Sequence, residues 1–257
     1  MTRFVVYGAG AVGGVVGARL ARAGHSVALI ARGAHREAIA RQGGLVVDGA
    51  LVPLTLMEPS AIASGDVVML AVKSQDTQAA LASIGTSGVD VPVVSLQNGV
   101  ANERVALRCF SRVYGVTVMC PCTHLMPGAV EAGSAPITGI LDIGRYPSSS
   151  DALCHEIARA FASATFVSEV RDDIMRWKWR KLVMNLSNAI TALCVPGPAS
   201  DALVDDVRAE GERVMALAGI DLVSDAEDLA RRGDLLQKRA SRSGGSTWQS
   251  FQRGTGT

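Results

Sequence analysis

Apolar and polar positions along this chain alternate between two periods, one typical of buried strands and one typical of amphipathic helices. The short apolar runs that predict strands are residues 4–7, 27–31, 66–72, 91–96, 113–119 and 137–143. The stretches between them that predict helices are a first segment with Val12, Val16 and Leu20 at helical spacing, and residues 34–42, 76–84 and 101–109. Strands that alternate with helices indicate an α/β fold, which we predict to be a Rossmann-type, doubly wound and mostly parallel sheet.

The pattern changes after about residue 150. Residues 151–164 predict an amphipathic helix and residues 165–167 a last edge strand, and no strand pattern follows Val170. The later helical segments are residues 171–195, 199–218, 224–240 and 246–253. We therefore expect two domains, a dinucleotide-binding domain over residues 1–168 and an all-helical domain over residues 169–257. An Asp48-Gly49 dipeptide between two short apolar runs also predicts a β-hairpin over residues 44–57.

A glycine motif joins the first strand to the first helix. The residues are Gly8, Ala9, Gly10, Ala11, Val12 and Gly13, a G-x-G-x-x-G in the strand–turn–helix context that dinucleotide-binding folds require. Gly8 is expected to permit the tight turn, Gly10 to let the backbone approach a pyrophosphate, and Gly13 to let the helix pack closely on the sheet. The ligand's negative charge would lie at the helix N-terminus, where free N–H groups and the helix dipole favour anions.

The end of the second strand indicates which dinucleotide is bound. NAD sites usually place an acidic residue there to bind the ribose 2′-OH, but this chain has Arg32 and no acid before Glu37. An arginine fork pairs well with a 2′-phosphate. We therefore expect Arg32 to bind the phosphate of NADP(H).

Polar residues also follow two further predicted strands. Lys73 and Gln75 come after the strand at 66–72, and Asn98 comes after the strand at 91–96. In open α/β sheets, ligands bind at the carboxyl ends of the strands. These side chains are therefore expected to line the same site as the glycine motif and Arg32.

A second group of polar residues lies on the predicted helix after residue 171. Lys181, Asn185 and Asn188 are spaced i, i+4 and i+7, which places them on one face of a continuous helix. A lysine near a carbonyl oxygen could stabilise the charge that builds there during hydride transfer and supply the proton. The spacing alone equally fits a surface lysine with amides that cap neighbouring helices.

Bulk composition excludes several classes of function. The chain has 257 residues with 25 basic and 24 acidic side chains, so its net charge of +1 gives no electrostatic footprint for nucleic acid or an anionic membrane. No signal peptide or membrane span is expected. Five cysteines without metal-ligand spacing favour reduced thiols in the cytoplasm, and no metal site is predicted.

Taken together, these motifs resemble the ketopantoate reductase (2-dehydropantoate 2-reductase) family. The matching segments appear in the family's order across most of the chain: GAGAVG at 8–13, Arg32, AVK at 71–73, LQNG at 96–99 and WRKLVMN at 179–185. The last two segments are more specific than the glycine motif alone. The resemblance implies reduction of 2-dehydropantoate to (R)-pantoate with NADPH, in the pathway to pantothenate and coenzyme A.

The resemblance also implies roles for individual residues. It makes Lys181 the general acid and Asn185 a substrate-binding residue, while Asn98 contacts both cofactor and substrate. It puts Lys73 near the cofactor and makes Thr247 a substrate contact where serine is commoner. The second asparagine of the family's helix is shifted by one position to Asn188, so its role stays open.

Other features of the family extend beyond this sequence. The family carries a substrate-binding glutamate and further helices after this point, so we expect the sequence to be incomplete at its C-terminus. Three hypotheses follow: a 2-dehydropantoate reductase, a reductase of another 2-keto acid, and a non-catalytic NADP(H)-binding protein. A homodimer is compatible with all three.

Overall fold

The computed structural model describes residues 2–237, 246–252 and 254. Its main sheet has eight strands in the order β12-β11-β8-β7-β6-β1-β2-β5. These strands are β1 (Arg3–Tyr7), β2 (Ser26–Ile30), β5 (Thr55–Leu56), β6 (Asp66–Leu70), β7 (Val93–Ser95), β8 (Val113–Met119), β11 (Gly139–Arg145) and β12 (Phe166–Val167). From β1 the chain continues to β2 on one side of the sheet, and it later returns to place β6 on the other side of β1. A ligand-binding crevice opens at such a switch point, at the carboxyl ends of these two strands.

Pairing in this sheet is parallel except between β8 and β11. Phe4, Val5 and Val6 of β1 and all five residues of β6 are buried, because helices cover both faces of the sheet. The prediction of an α/β fold with a mostly parallel sheet is therefore confirmed. The antiparallel β11 arises because β8 and β11 are joined through a small second sheet and no crossover helix.

The second sheet has the order β4-β3-β10-β9 and comprises β3 (Gly44–Val47), β4 (Ala50–Pro53), β9 (Cys122–Thr123) and β10 (Ala129–Ala132). The predicted hairpin is confirmed: Asp48 and Gly49 both have positive φ, at 53° and 79°, as a tight turn between twisted strands requires. Strands β9 and β10 are not predicted. They are short, and β10 is defined by pairing with β3, some 80 residues earlier in the chain.

Helices of the first part of the chain lie between these strands: α1 (Ala11–Arg22), α2 (Gly33–Gln42), α3 (Thr77–Gly85), α4 (Asn102–Leu107) and α5 (Ala152–Ser163). Helix α5 begins at Asp151, whose carboxylate accepts hydrogen bonds from the N–H groups of Leu153 and Cys154. The described residues after Val170 that form regular structure are all helical: α6 (Ile174–Asn185), α7 (Ser187–Leu193), α8 (Pro198–Leu217), α9 (Asp225–Arg232) and α10 (Ser246–Gln252).

Two of the predicted helices differ from the observed ones. The segment 171–195 forms α6 and α7 with a break at Leu186, so Asn188 does not belong to the helix that carries Lys181. The segment 224–240 ends earlier, since Gly233 follows α9 with a φ of 43°. Residues 238–240 and 253 of the predicted helices lie outside the described residues.

Helix α6 packs directly on the main sheet through two glycines that face each other in the β8–β11 pair, Gly115 and Gly144. A Cβ at Gly144 would lie 2.0 Å from the carbonyl oxygen of Arg171 and 2.8 Å from Cβ of Ile174. The absence of side chains at this pair of positions lets α6 approach the strands. This contact brings the first helix of the second part of the chain to the sheet.

No helix in the described ranges combines the length and the apolar character that crossing a bilayer requires.

Candidate active site

The glycine loop between β1 and α1 has the backbone geometry that a dinucleotide site needs. Gly8 has a φ of 103° and donates its N–H to the carbonyl of Ile30 at 2.9 Å. A Cβ at Gly8 would lie 2.9 Å from backbone atoms of Ala71 and Val72. At Gly13 it would lie 2.2 Å from the carbonyl oxygen of Gly8. Both positions therefore exclude any side chain, for the reasons predicted from the motif.

The start of α1 is suited to an anion. Gly10 is the N-cap residue in an extended conformation, and no side chain caps the first turn or places an acid there. The N–H groups of Ala11, Val12 and Gly13 therefore form the positive end of the helix. A Cβ at Gly10 would find its nearest neighbour, Nδ1 of His124, at 3.9 Å, so the loop is open at this point.

A histidine that the sequence analysis did not single out, His35, holds the glycine loop from one side, and a second histidine packs against it. Nε2 of His35 donates to the carbonyl of Ala9 at 2.7 Å, and Nδ1 accepts from the N–H of Gly128 at 2.8 Å. These contacts fix a neutral ring with its proton on Nε2. The ring of His124 lies 4.3 Å from that of His35 between centroids. No sequence signal pairs residues that are 89 positions apart.

Arg32 follows β2 as expected, but it has a partner. Its Nη2 lies 2.5 Å from Oδ2 of Asp76, and the arginine side chain is 80% exposed. Asp76 precedes α3 and was not among the predicted site residues. Because the pair is exposed, water screens the attraction strongly and the guanidinium stays accessible.

The other strand ends carry the predicted polar residues. Lys73, after β6, donates from Nζ to Oγ of Ser250 in α10 at 2.9 Å. Gln75 and Asn98 have exposed side chains, while the carbonyl of Asn98 accepts from Nδ2 of Asn102 at 3.1 Å. The structure therefore brings Lys73, Gln75 and Asn98 to the edge of the sheet that carries the glycine loop.

Helix α6 reaches the same edge. Lys178 of α6 donates from Nζ to the carbonyl of Gln97 at 2.8 Å, immediately before Asn98. Lys181 lies three residues further along α6, which is a rise of about 4.5 Å along the helix axis. Lys181 and Asn185 are both half-buried, as is Asn188 in α7. The predicted acid and its neighbouring amide therefore belong to a helix that contacts the loop bearing Asn98.

Helix α10 closes another side of the site. Gln249 donates from Nε2 to the carbonyl of Cys122 at 3.1 Å, and its Oε1 accepts from the N–H of His124 at 3.4 Å. Thr247 of the same helix is half-buried. Helix α10 is thus tied both to the strand end that carries Lys73 and to the segment beside the glycine loop.

Cys154 is not a reactive group of the site. All five cysteines have free thiols. Cys154 lies in α5, where burial raises the pKa of its thiol to about 11 and keeps it protonated near neutral pH. Among the described residues, no three His, Cys, Asp or Glu side chains converge as metal ligands do.

Comparisons with known proteins agree with this geometry. A family model described as ketopantoate reductase PanE/ApbA matches residues 4–147. The chain is similar to the 2-dehydropantoate 2-reductase of Pyrococcus horikoshii, with 34% identity over 71% of this chain and 60% of that protein. It is also similar to the enzyme of that name from Halobacterium salinarum, with 30% identity over 90% of this chain and 80% of that protein.

A solved structure extends the similarity to the whole fold. The PanE/ApbA family ketopantoate reductase from Ralstonia eutropha JMP134 superimposes with a TM-score of 0.79 at 31% identity, over 99% of this chain and 87% of that one. The chain spans 60% of the length of the Pyrococcus relative.

Proposed function

This chain belongs to the ketopantoate reductase PanE/ApbA family, and from that premise we propose that it reduces 2-dehydropantoate to (R)-pantoate with NADPH. The curated relatives at 30% identity or more carry the name 2-dehydropantoate 2-reductase, an oxidoreductase that acts on a CH–OH group. One observation carries the proposal: α6, the helix of Lys181, is bonded to the strand-end loop of Asn98, on the edge where the glycine loop opens.

The first half of the proposed site binds the cofactor. The open backbone at Gly10 and the uncapped start of α1 fit a pyrophosphate. The residues that would hold it are Gly8, Ala9, Gly10, Ala11, Val12 and Gly13. Arg32 would bind the 2′-phosphate, which favours NADP(H) over NAD(H), and Lys73, Gln75 and Asn98 would complete the contacts.

The second half carries out the proton transfer. When bound, a reduced nicotinamide supplies a hydride to the carbonyl carbon of the 2-keto acid. Lys181 would donate a hydrogen bond to the carbonyl oxygen, stabilise the developing negative charge and deliver the proton. Asn98, Asn185, Asn188 and Thr247 would bind the carboxylate and hydroxyl groups of the substrate, since amides and hydroxyls supply both donors and acceptors.

A substrate panel tests this proposal against its alternatives. Purified protein is mixed with NADPH and, in turn, 2-dehydropantoate and other branched 2-keto acids, and loss of the nicotinamide absorbance is followed. The highest kcat/KM with 2-dehydropantoate supports the proposal. A higher value with another 2-keto acid assigns a different substrate, and NADPH binding without turnover on any of them assigns a binding protein.

The organisation of the protein is part of the same proposal. We divide the chain at residue 168 into the nucleotide-binding and helical domains, with movement between them enclosing the substrate. The five free thiols support a reducing compartment such as the cytoplasm. A homodimer is tested by light scattering coupled to size-exclusion chromatography.

A further inference from the structure

A buried ion pair joins α6 to α4, and its lysine also bonds to the main sheet. Nζ of Lys178 lies 2.8 Å from Oε1 of Glu103 in α4, and the two side chains are 3% and 0% exposed. The same ammonium group donates to the carbonyl of Gln97 at 2.8 Å and to the carbonyl of Val116 at 3.1 Å. One side chain of α6 therefore contacts α4, strand β8 and the loop that follows β7.

The sheet provides the space for this side chain. Gly115 in β8 lies beside the stem of Lys178, and a Cβ there would be 3.3 Å from Cδ of Lys178 and 3.5 Å from Oε1 of Glu103. The contact with Cδ of Lys178 is tighter than most, so an alanine here requires the lysine stem to yield slightly, and a larger residue would displace it; the contact with Glu103 is ordinary. The glycine, the lysine and the glutamate act as one packing unit.

The loop of Gln97 and Asn98 is also held from its other side. Nε2 of Gln97 donates to the carbonyl of Val72 at 2.8 Å and to Oγ1 of Thr77 at 2.9 Å. Asn102, the neighbour of Glu103, donates to the carbonyl of Asn98 at 3.1 Å. The backbone at Asn98 is thus fixed between the segment leading to Lys73 and the ammonium group of Lys178.

Stability alone does not explain why these two positions carry charges. Both ions are removed from water, and apolar residues of similar volume often stabilise a protein as well as a buried pair does. Among the described residues, neither buried carboxylate oxygen of Glu103 has a partner with hydrogen-bond geometry, so the 2.8 Å contact of Lys178 with Oε1 is an ion pair without a directed hydrogen bond. What apolar residues cannot supply is the set of directed bonds to the carbonyls of Gln97 and Val116.

We propose that Lys178 and Glu103 are positioning residues for the reductase reaction. They fix α6 against the loop of Asn98, and so set where Lys181, one helical turn further along α6, stands relative to the reacting carbonyl group. This inference rests on the function proposed above. Lys178 is buried behind the loop and acts through Lys181 and Asn98.

The double variant Glu103→Leu/Lys178→Met tests the proposal, because it removes the directed bonds while it keeps the volume. We expect its urea midpoint to fall only slightly, since an apolar pair replaces a desolvated one while the carbonyls of Gln97 and Val116 lose a donor. We expect kcat for 2-dehydropantoate to fall about 100-fold, because a displacement of about 1 Å has this effect on a reacting group. The KM for NADPH should change less than kcat, because the glycine loop is untouched and Asn98 is one of several proposed cofactor contacts.

A matched control removes a second buried ion pair that joins α9 to β11. Nη2 of Arg231 lies 2.6 Å from Oδ1 of Asp142, and these side chains are 8% and 2% exposed. This pair contacts none of the strand-end loops that carry proposed site residues. The variant Asp142→Asn/Arg231→Met should keep the wild-type kcat, so a fall in both double variants would assign the effect to general packing and overturn the proposal.

Hydrogen exchange separates this proposal from the proposed function. The amides of residues 97–100 should exchange faster in Glu103→Leu/Lys178→Met than in the wild type and the control, whether or not any substrate is turned over. Unchanged exchange together with kcat within threefold of the wild type overturns the positioning role. If the wild type reduces none of the 2-keto acids, the proposed function is overturned, and the hydrogen-exchange result still decides whether Lys178 and Glu103 fix the loop. Should the double variant not fold, Gly115→Val is measured in its place, because its branched side chain must displace the stem of Lys178. Unchanged exchange at residues 97–100 together with an unchanged kcat in that variant also overturns the positioning role.

Discussion

The glycine loop and helix α6 approach the same edge of the sheet by opposite means. The loop of residues 8–13 works through backbone and missing side chains, since a Cβ at Gly8 or Gly13 would overlap backbone atoms. Helix α6 works through side chains, including a buried ammonium group at Lys178. The comparison teaches that one half of the site depends on local chain geometry, whereas the other depends on partners far away in the sequence.

The largest expected effect tests the half of the site that works through side chains, helix α6. Lys181→Ala should lower kcat by about 100-fold or more, because general acid catalysis contributes that much and no other proposed residue replaces the proton donor. NADPH oxidation with 2-dehydropantoate measures it, and circular dichroism checks the fold. Arg159→Ala, which removes an exposed cation of α5, is the control and should keep full activity. Full activity in Lys181→Ala would refute the assignment of the acid.

The next largest effect tests the half of the site that works through its backbone, the glycine loop. Gly13→Ala places a Cβ 2.2 Å from the carbonyl oxygen of Gly8 and 2.8 Å from Cβ of Ala71, so α1 must shift. We expect the free energy of unfolding to fall by about 1–3 kcal/mol. We also expect the affinity for NADPH to fall about tenfold or more. Gly85→Ala is the matched control, because nothing lies within 4 Å of its Cβ at the end of α3. Equal affinities in both variants would show that close packing at Gly13 is not required for binding.

A smaller effect tests which dinucleotide the loop prefers. Arg32→Ala should weaken NADPH binding by about 10- to 100-fold and leave NADH nearly unchanged, since hydrogen bonds to a charged group contribute about 1.5–3 kcal/mol. Asp76→Asn should strengthen NADPH binding by up to about fivefold, because it releases Arg32 from an exposed pair.

Titrations of cofactor fluorescence measure both affinities. Glu58→Gln is the control, as it removes the partner of another exposed arginine pair at Arg36. A constant ratio of NADPH to NADH affinity in Arg32→Ala would remove the argument for NADP(H).

The smallest expected effect concerns the stability of the protein at high pH and lies outside both halves of the site, in α5. Burial raises the pKa of the Cys154 thiol from 9.0 to about 11, so between these values the unfolded chain releases a proton that the native protein keeps. The free energy of unfolding should therefore be independent of this thiol below pH 9.0 and fall as the pH rises towards 11.

Urea denaturation across this range should show a flatter pH dependence in Cys154→Ala. Burial also raises the pKa of Tyr114 and the charge of Cys154 adds to that rise, so Cys154→Ala reduces both contributions in the same direction. Cys109→Ala removes an exposed thiol and should keep the wild-type slope. Identical slopes in all three proteins would contradict the assigned shift.

The sequence by itself determined the fold class, the hairpin at Asp48-Gly49 and the steric reasons for Gly8 and Gly13. Hydrophobic periodicity and glycine spacing encode these features, because each depends on residues close together in the chain. The same signals placed Arg32, Lys73 and Asn98 at strand ends, and the parallel sheet then gathered them at one edge.

Only the tertiary structure decided the partners. A continuous helical pattern over 171–195 gave no sign of the break at Leu186 that separates Asn188 from Lys181. The bonds of Lys178 to Glu103, of Arg32 to Asp76 and of His35 to Ala9 join segments distant in sequence. A side chain's charge shows that it needs a partner when buried, but its burial and its partner are set by how the helices pack on the sheet.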